Sequence, residues 1–362
     1  MTFGGPMRFY TYMKYSIFTI ILISVLFFAG CSNFKPEAIG SFNSVYAFAD
    51  DEELSKIEEP LEIAIARQIV TPRPERLLRI FWGDTASFDN ATKHHIVLVA
   101  ASLESPGHFG AFVRMSLSKA AYDSVKTGKY NIFIKHDPWA KNQILVILTA
   151  PTADQLRTYI LTHTDEIFDQ INDYTNEQVS NWIFSEFQGQ GEKFDIERKI
   201  AADYGFRIRV PRMFDWEKGK AENRFLWLRA LEPERWVFVY WIPLDSSSNG
   251  KISLKWLVHT RDSLCQIYYE GDSIVDGTLT YEHTTFHNIP AIKYRARWKN
   301  RKAVAGGPVV GYIFDDTSHN RRYILDGAVF APGIRKEPYL RHCEVIMLSF
   351  NPDTSESIAK NR

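Results

Sequence analysis

The first half of the chain alternates between strand-like and helix-like runs of apolar residues. Asp50 followed by Glu53 is typical of a helix start, and a helically periodic apolar segment follows Pro60. Thr152, with Gln155 three residues later, forms a capping box that opens a long helical region. Short apolar runs with the length and bounds of strands lie at residues 45–49, 77–82, 95–102, 130–134 and 143–149. This pattern predicts an α+β domain over residues 44–203.

The second half reads mainly as sheet. Residues 236–242 are apolar at every position, and a strand that is apolar on both faces must be covered on both sides. Helices to cover it are predicted at residues 254–268 and 338–348. Further strands are predicted at residues 206–210, 225–229, 278–284, 291–298, 309–314 and 323–330. We therefore predict an α+β fold with two domains. In the second, residues 204–350, a mostly antiparallel sheet is covered by helices on both faces, and a disordered tail follows at residues 351–362.

A different pattern stands at the start of the chain. An apolar run over residues 15–25 follows Lys14, and this arrangement predicts a secretory signal peptide over residues 1–30. The exit, Leu26-Phe-Phe-Ala-Gly-Cys31, resembles the lipobox of bacterial lipoproteins. The resemblance implies that Cys31 takes a diacylglyceryl group, that the preceding peptide is removed, and that the new amino terminus is acylated. The alternative is an uncleaved membrane helix that ends in Cys31. The start codon is open among Met1, Met7 and Met13.

Residues 31–43 are predicted to be the lipidated cysteine and a polar tether. No acidic cluster directly follows Cys31, and such a cluster marks surface-exported lipoproteins in some bacteria. The expected location is therefore the outer membrane, with the protein facing the periplasm.

Several stretches together resemble an uncharacterised lipoprotein family of Bacteroidetes-type bacteria, a domain of unknown function. These stretches are Trp139-Ala-Lys-Asn-Gln143, residues 206–211, residues 225–229, Gly306-Gly307-Pro308 and residues 325–333. Separately, the order of elements in the second half, opening on Tyr204-Gly-Phe-Arg-Ile-Arg-Val-Pro211, is similar to the Mog1/PsbP-like α/β/α sandwich. That likeness implies a fold that hosts adaptors and binding modules more often than enzymes. Neither resemblance brings catalytic residues.

Charge and cysteine content narrow the classes of partner. The chain has 43 basic and 43 acidic residues, and removal of residues 1–30 takes away Arg8 and Lys14. The near-neutral balance argues against nucleic acid as a partner. Cys265 and Cys343 each lie on the apolar stripe of a predicted helix, which favours two buried free thiols over a disulfide. Three widely spaced cysteines form no zinc pattern, so no metal and no cofactor are predicted.

Two stretches are candidates for ligand binding. In residues 293–299, cationic residues alternate with apolar ones, which places Lys293, Arg295, Arg297 and Lys299 on one face of a strand. This basic stripe, which Arg301 and Lys302 extend, suits an anionic head group, a glycan or an acidic partner. The alternative is a solvated sheet face or a protected edge strand. Ala305-Gly306-Gly307-Pro308 lets the backbone turn or approach a ligand closely, or serves as a plain strand-entry turn.

No motif of a known catalytic site is present in the sequence, and no catalytic residue is predicted. The favoured function is a lipid-anchored, non-enzymatic binding or assembly module of the cell envelope. Its expected partners are the membrane, through the lipid on Cys31, and another envelope protein. One alternative is a glycan- or lipid-binding lipoprotein that uses Arg295, Arg297, Lys299, Gly306 and Gly307. Another is a hydrolase assembled from distant residues such as His342, Asp326 and a serine.

Overall fold

The structure is a computed structural model that describes residues 35–71, 73–188, 191–217, 223–244, 252–269 and 271–354. Cys31, the signal segment and residues 355–362 therefore lie outside the described residues. The strands of the first half are β1 Ser44–Phe48, β2 Gln68–Ile69, β3 Glu75–Arg76, β4 Arg79–Trp82, β5 Ile96–Ala100, β6 Ile132–His136 and β7 Ile144–Leu148. The helices there are α1 Asp51–Ile65, α2 Phe88–Ala91, α3 His108–Ser116, α4 Lys119–Lys126, α5 Ala153–Thr162, α6 Thr164–Phe184 and α7 Phe194–Tyr204.

The first half folds around a five-stranded sheet in the order β4-β1-β5-β7-β6. β1 pairs in parallel with β4 and β5, β5 pairs in parallel with β7, and the hairpin partner β6 is antiparallel to β7. Along β5, Ile96 and Leu98 enter one apolar cluster, while Val97 and Val99 enter another on the opposite face. Because both faces of this sheet are apolar, helices cover both: α1, α5 and α6 on one side, α3 on the other.

The second half contains the larger sheet. Its strands are β8 Asp215–Trp216, β9 Phe225–Ala230, β10 Glu234–Pro243, β11 Asp272–Ile274, β12 Thr280–Phe286, β13 Ile289–Asn300, β14 Gly306–Asp316 and β15 Arg321–Phe330. Its helices are α8 Leu254–Tyr268 and α9 Glu337–Leu348. The strand order is β11-β13-β14-β15-β10-β9-β8, with β12 beside β13, and the pairs within it are antiparallel.

The two faces of strand β10 face different helices. Trp236 and Phe238 lie in the cluster that contains Leu257 of α8, whereas Val237 and Val239 lie in the cluster that contains α9. This arrangement confirms the prediction that a mostly antiparallel sheet lies between helix layers within an α+β fold. It also explains why Cys265 and Cys343 form no disulfide with each other: both are buried, but they lie on opposite sides of the sheet.

The two halves meet where α6 packs against α9, and a single apolar cluster runs through both. At this contact the guanidinium of Arg341, which is 2% exposed, donates to Glu337, Asn172, Asn176 and the carbonyl of Leu77. A buried charge is tolerated when its donors are satisfied in this way. The Arg341 hydrogen bonds therefore join elements from both halves of the chain.

Three expectations from the sequence are corrected by the structure. Residues 206–210 do not join a sheet: Arg207 forms an isolated bridge with Asn351, and the Val210 N–H donates to the Glu197 carboxylate. The same bridge holds the start of the predicted tail against the fold. The predicted tether is shorter than 31–43, because Glu37 and Ile39 already form bridges to the first domain. In each case hydrogen-bond partners far along the chain replace the local structure.

None of the helices in the described part of the chain is long and apolar enough to cross a membrane.

Candidate functional site

Four of the five residues proposed for binding line one cavity. Arg297, Lys299, Gly306 and Gly307 surround a space of about 840 Å³, whereas Arg295 is not part of its wall. We call this space the basic cavity. Its remaining wall comes from residues 73–75, Val275, Trp298, Asn300, residues 303–305, Phe330 and residues 332–336. The cavity thus lies at the junction of the two halves, between the loop before β3, the β13–β14 connection and the segment that leads into α9.

The charges around the basic cavity are strongly unequal. Among the described residues, its lining contains five cationic side chains, from Arg73, Arg297, Lys299, Arg335 and Lys336, and one acidic residue, Glu75. A concave surface lined by one sign of charge concentrates ligands of the opposite sign. The electrostatics of this cavity therefore suit an anion.

The one carboxylate of the lining is already engaged by helix α9. An oxygen of Glu75 accepts the backbone N–H groups of Lys336 at 2.7 Å and of Glu337 at 3.0 Å. The ammonium of Lys336 lies 3.6 Å from the other oxygen. A carboxylate in this position satisfies free donors at a helix start. Glu75 is thus held at the cavity wall and does not neutralise Arg73, Arg297 or Lys299.

Arg297 is the half-buried cation of the cavity. Its backbone N–H donates to the Thr278 hydroxyl at 3.1 Å, which fixes the end of strand β13. Its Nε atom is buried and has no hydrogen-bond partner, and among the described residues no carboxylate forms an ion pair with its guanidinium. A buried donor without a partner is costly. Arg297 therefore lines the cavity without a described acidic partner, and a bound anion would supply the missing counter-charge to its guanidinium.

The basic stripe predicted on β13 is divided in the structure. The Lys293 ammonium lies 2.5 Å from Glu344 of α9, and the Arg295 guanidinium lies 3.0 Å from Glu282. Burial lowers the pKa of Arg295, but Glu344 and Glu282 outweigh it and raise the pKa above its usual range. The first two cations of the stripe are thus covered by helix α9 and strand β12 and paired with acids. Arg297 and Lys299, nearer the strand end, remain at the cavity.

The glycines of the cavity wall have a packing role. Gly306 and Gly307 are the first two residues of strand β14, so this stretch is the entry to a strand. A Cβ atom on Gly307 would lie 2.0 Å from the Val329 carbonyl oxygen and 3.2 Å from the indole nitrogen of Trp298. The neighbouring strand and the Trp298 ring occupy the space that a side chain would need. The lack of a side chain therefore serves the sheet and the placement of Trp298.

A second, aromatic cavity of about 310 Å³ lies beside the basic one and was not predicted from the sequence. Its aromatic lining consists of Trp227, Trp236, Tyr268, Tyr269, Trp298 and Phe330. Its polar lining includes an ion pair between Arg229 and Glu234 at 2.5 Å and a hydrogen bond at 2.7 Å from the Asn300 amide to Asp272. Burial raises the pKa of Asp272, while Asn300 and Arg261 act in the opposite direction.

The hydrolase candidates are separated by the sheet. Asp326 is fully buried and accepts hydrogen bonds from Arg261 of α8 at 3.0 Å and from the Tyr294 hydroxyl at 2.7 Å. His342 lies on α9 at the other face, stacked against Trp182 with ring centroids 5.5 Å apart. This pair therefore forms no catalytic set. In the described part of the chain, no group of three or more His, Cys, Asp or Glu residues could hold a metal ion.

The fold and the cavities define an α+β protein with two domains and a concave basic site at their junction. Residues 193–349 match the model of a domain of unknown function, DUF4837, and residues 38–183 match that of a second one, DUF8532. Among solved structures, the chain is similar to that of a point mutant of the protein Mog1, with 12% sequence identity and a TM-score of 0.27. That similarity covers 41% of this chain and 92% of the other. No curated protein matches the chain.

Proposed function

We propose that this chain is a lipid-anchored, non-enzymatic binding protein of the bacterial cell envelope that receives an anionic ligand in the basic cavity. The membrane attachment is the lipid on Cys31, and the location is the outer membrane with the protein facing the periplasm. The lipobox-like exit and the likeness to an uncharacterised lipoprotein family of Bacteroidetes-type bacteria support the anchor.

One observation indicates which class of ligand the cavity binds. Five cations and one engaged carboxylate surround a cavity large enough for a small molecule. Arginine donors recognise phosphate and carboxylate oxygens through charge-assisted hydrogen bonds. The unpartnered Arg297, together with Lys299, gives such a ligand two contacts that no described acidic residue already occupies. We favour binding over catalysis because the acid and the histidine named as a hydrolase pair lie on opposite faces of the sheet.

The test is neutralisation of the cavity. Glycerol 3-phosphate is titrated by calorimetry into the full chain, purified in a non-ionic detergent, and into an Arg297→Gln/Lys299→Gln variant. Each charge-assisted contact contributes about 1.5–3 kcal/mol, so the variant should bind at least about tenfold more weakly.

The matched control is Arg301→Gln/Lys302→Gln. It removes the same charge from the same short stretch, but neither residue lines the cavity. The control should bind as the unmodified chain does. Equal weakening in both variants would show general electrostatic attraction and would contradict a site in the basic cavity.

A further inference from the structure

The basic and aromatic cavities are neighbours. Trp298, Asn300, Ala305 and Phe330 line both of them, at the end of strand β13, the entry to β14 and the end of β15. A ligand that occupies one cavity therefore touches the wall of the other. The two spaces offer opposite chemistry to a single small molecule.

The aromatic cavity is built as a set of inclined rings. Trp236 and Trp298 meet at 60° with ring centroids 5.2 Å apart, Trp236 and Tyr269 at 65° and 5.4 Å, and Trp227 and Tyr269 at 53° and 4.7 Å. A flat stacking platform needs coplanar, open rings, which these rings do not provide. These rings contact one another, so together they form one continuous aromatic wall of the cavity, and such a wall attracts a cation.

The indole nitrogens of this cavity are turned into the protein. Those of Trp227 and Trp236 are buried without a hydrogen-bond partner, and the Trp298 nitrogen donates to the Val329 carbonyl at 3.3 Å. The three tryptophans consequently offer carbon surface to a ligand and no exposed N–H donor, while the Tyr269 hydroxyl is a buried polar atom of the same wall without a described partner. Aromatic carbon faces carry negative electrostatic potential and attract cations.

The charged residues of the aromatic cavity also favour a positively charged ligand. Arg229 and Glu234 neutralise each other, and Asp272 is a second carboxylate in the wall. Its Oδ1 atom accepts from Asn300, a residue shared with the basic cavity. The aromatic cavity is therefore suited to a cation and the basic cavity to an anion.

We propose that the two cavities form one site for a zwitterionic ligand of the phosphocholine or phosphoethanolamine type. The ammonium group occupies the aromatic cavity and the phosphate group lies against Arg297 and Lys299. This inference rests on the proposed function for its phosphate half and adds the ammonium half. Phospholipid head groups and soluble phosphoamines share this chemistry.

Calorimetric titrations of the full chain in a non-ionic detergent test the inference with phosphocholine, phosphoethanolamine, glycerol 3-phosphate, tetramethylammonium and glucose 6-phosphate. We expect one of the two zwitterions to bind at least about tenfold more tightly than glycerol 3-phosphate, since a desolvated cation–π contact adds to the phosphate contacts. Trp227→Leu should reduce that affinity ratio towards one. Trp216→Leu, which removes a half-buried tryptophan outside both cavities, should keep the ratio.

The outcomes separate the two proposals. Glycerol 3-phosphate binding as tightly as both zwitterions, with no effect of Trp227→Leu, would overturn the ammonium site and leave the anion site standing. Binding of tetramethylammonium without any phosphate binding would overturn the anion site, and with it the zwitterionic ligand. Tighter binding of glucose 6-phosphate than of either zwitterion would overturn the ammonium site in favour of a sugar ring.

Vesicles distinguish the sources of the head group. Retention on phosphatidylethanolamine or phosphatidylcholine vesicles, above that on phosphatidylglycerol vesicles, supports a membrane lipid as the ligand. Binding of the soluble zwitterion without any preference among vesicles supports a soluble phosphoamine. If the ligand is a membrane lipid, the Trp227→Leu variant should lose the preference among vesicles. If it is a soluble phosphoamine, the variant should lose the preference for the zwitterion over glycerol 3-phosphate.

Discussion

At the scale of single residues, His342 is the most strongly perturbed histidine of the described chain. It lies on α9 between the rings of Trp182 and Tyr339, and its Nδ1 atom is buried without a partner. Burial lowers its pKa to about 3, and the nearby guanidinium groups of Arg235 and Arg341 act in the same direction. The imidazole is therefore neutral in the folded protein over the whole physiological range.

This neutral histidine makes stability depend on pH. In the unfolded chain His342 takes up a proton as the pH falls below about 6.5, whereas the folded protein does not until about pH 3. The free energy of unfolding should therefore fall with pH in this window, by roughly 2 kcal/mol from this residue at pH 5. Urea denaturation of the unmodified chain and of His342→Phe at pH 7.5 and pH 5 measures this difference. His259→Phe, an exposed position on α8, should keep the unmodified pH dependence. Identical pH dependence in all three proteins would contradict this role for His342.

At the scale of elements, helix α9 is held to the sheet by a buried carboxylate. Glu344 lies 2.5 Å from the Lys293 ammonium on β13 and accepts the Tyr312 hydroxyl of β14 at 2.9 Å. Burial alone would raise its pKa, but Lys293 and Arg295 hold the pKa at about 2. The alternating pattern of β13 predicted an exposed basic stripe. Two of its cations, Lys293 and Arg295, instead stabilise the Glu344 carboxylate and so hold helix α9 on the sheet. Arg295→Glu would add a third carboxylate near Glu282 and Glu344, so we expect that change to destabilise the domain.

Removal of Lys293 should expose the cost of this buried acid. Loss of one partner of a buried ion pair typically costs about 3–5 kcal/mol. Because Arg295 remains near Glu344, we expect Lys293→Met to lower the free energy of unfolding by about 3 kcal/mol at pH 7. It should also shift acid unfolding to higher pH, because the folded-state pKa of Glu344 then rises towards its unfolded value. Thermal and urea unfolding, repeated over a range of pH, give the free energy of unfolding at pH 7 and the pH at which acid unfolds the protein.

The double variant Lys293→Met/Glu344→Gln separates charge from packing. It removes the unpaired carboxylate and keeps a side chain of the same shape at position 344. If the unpaired charge causes the loss, the double variant is more stable than Lys293→Met alone. A further loss of stability would point to packing as the cause.

At the scale of the whole molecule, the first domain lies close to its proposed anchor. The Ala38 N–H donates to the Lys141 carbonyl at 2.9 Å, and the Lys141 N–H donates to the Pro36 carbonyl at 2.8 Å. The chain is therefore docked from Pro36 onwards. Four residue steps separate Cys31 from Lys35, and an extended chain covers at most about 14 Å in that number. A lipid on Cys31 would hold the domain near the bilayer surface, within reach of lipid head groups.

The anchor itself is tested by replacing the acceptor. In Cys31→Ala no thiol is present to take the diacylglyceryl group, so we expect an uncleaved precursor without lipid. Metabolic labelling with a radioactive fatty acid, followed by electrophoresis, reads both properties. Label retained by the Cys31→Ala protein would refute the lipidation.

Limited proteolysis tests the domain boundary proposed at residue 203. The sequence changes there from helical stripes to alternating strands, so protease should cut near residues 189–205, or in the tail after Phe350, before any strand of the second half. First cuts within residues 236–242 would contradict a central strand that is covered on both faces.

The sequence by itself determined most of the strands and helices and which of their faces are buried, although the strand predicted at residues 206–210 does not form. The helix at residues 254–268 was predicted with the bounds it has, because its apolar stripe repeats at the helical period. Residues 236–242 predicted a sheet between helix layers, because a strand that is apolar on both faces requires cover on both. These features depend on neighbours within a few positions.

Only the tertiary structure decided the site. The basic cavity brings together residues 73–75, 297–300, 303–307 and 332–336. Arg297 and Lys299 of the predicted stripe lie there beside Arg73 and Arg335, which come from distant segments. Arg295 does not line the cavity, because α9 and β12 place Glu344 and Glu282 beside its guanidinium. The hydrophobic pattern also did not determine whether the strands of the first sheet are parallel, as β1, β4, β5 and β7 are. Local periodicity states which face of an element is buried, but it does not state which distant segment will cover that face, and the cavities are made where those segments meet.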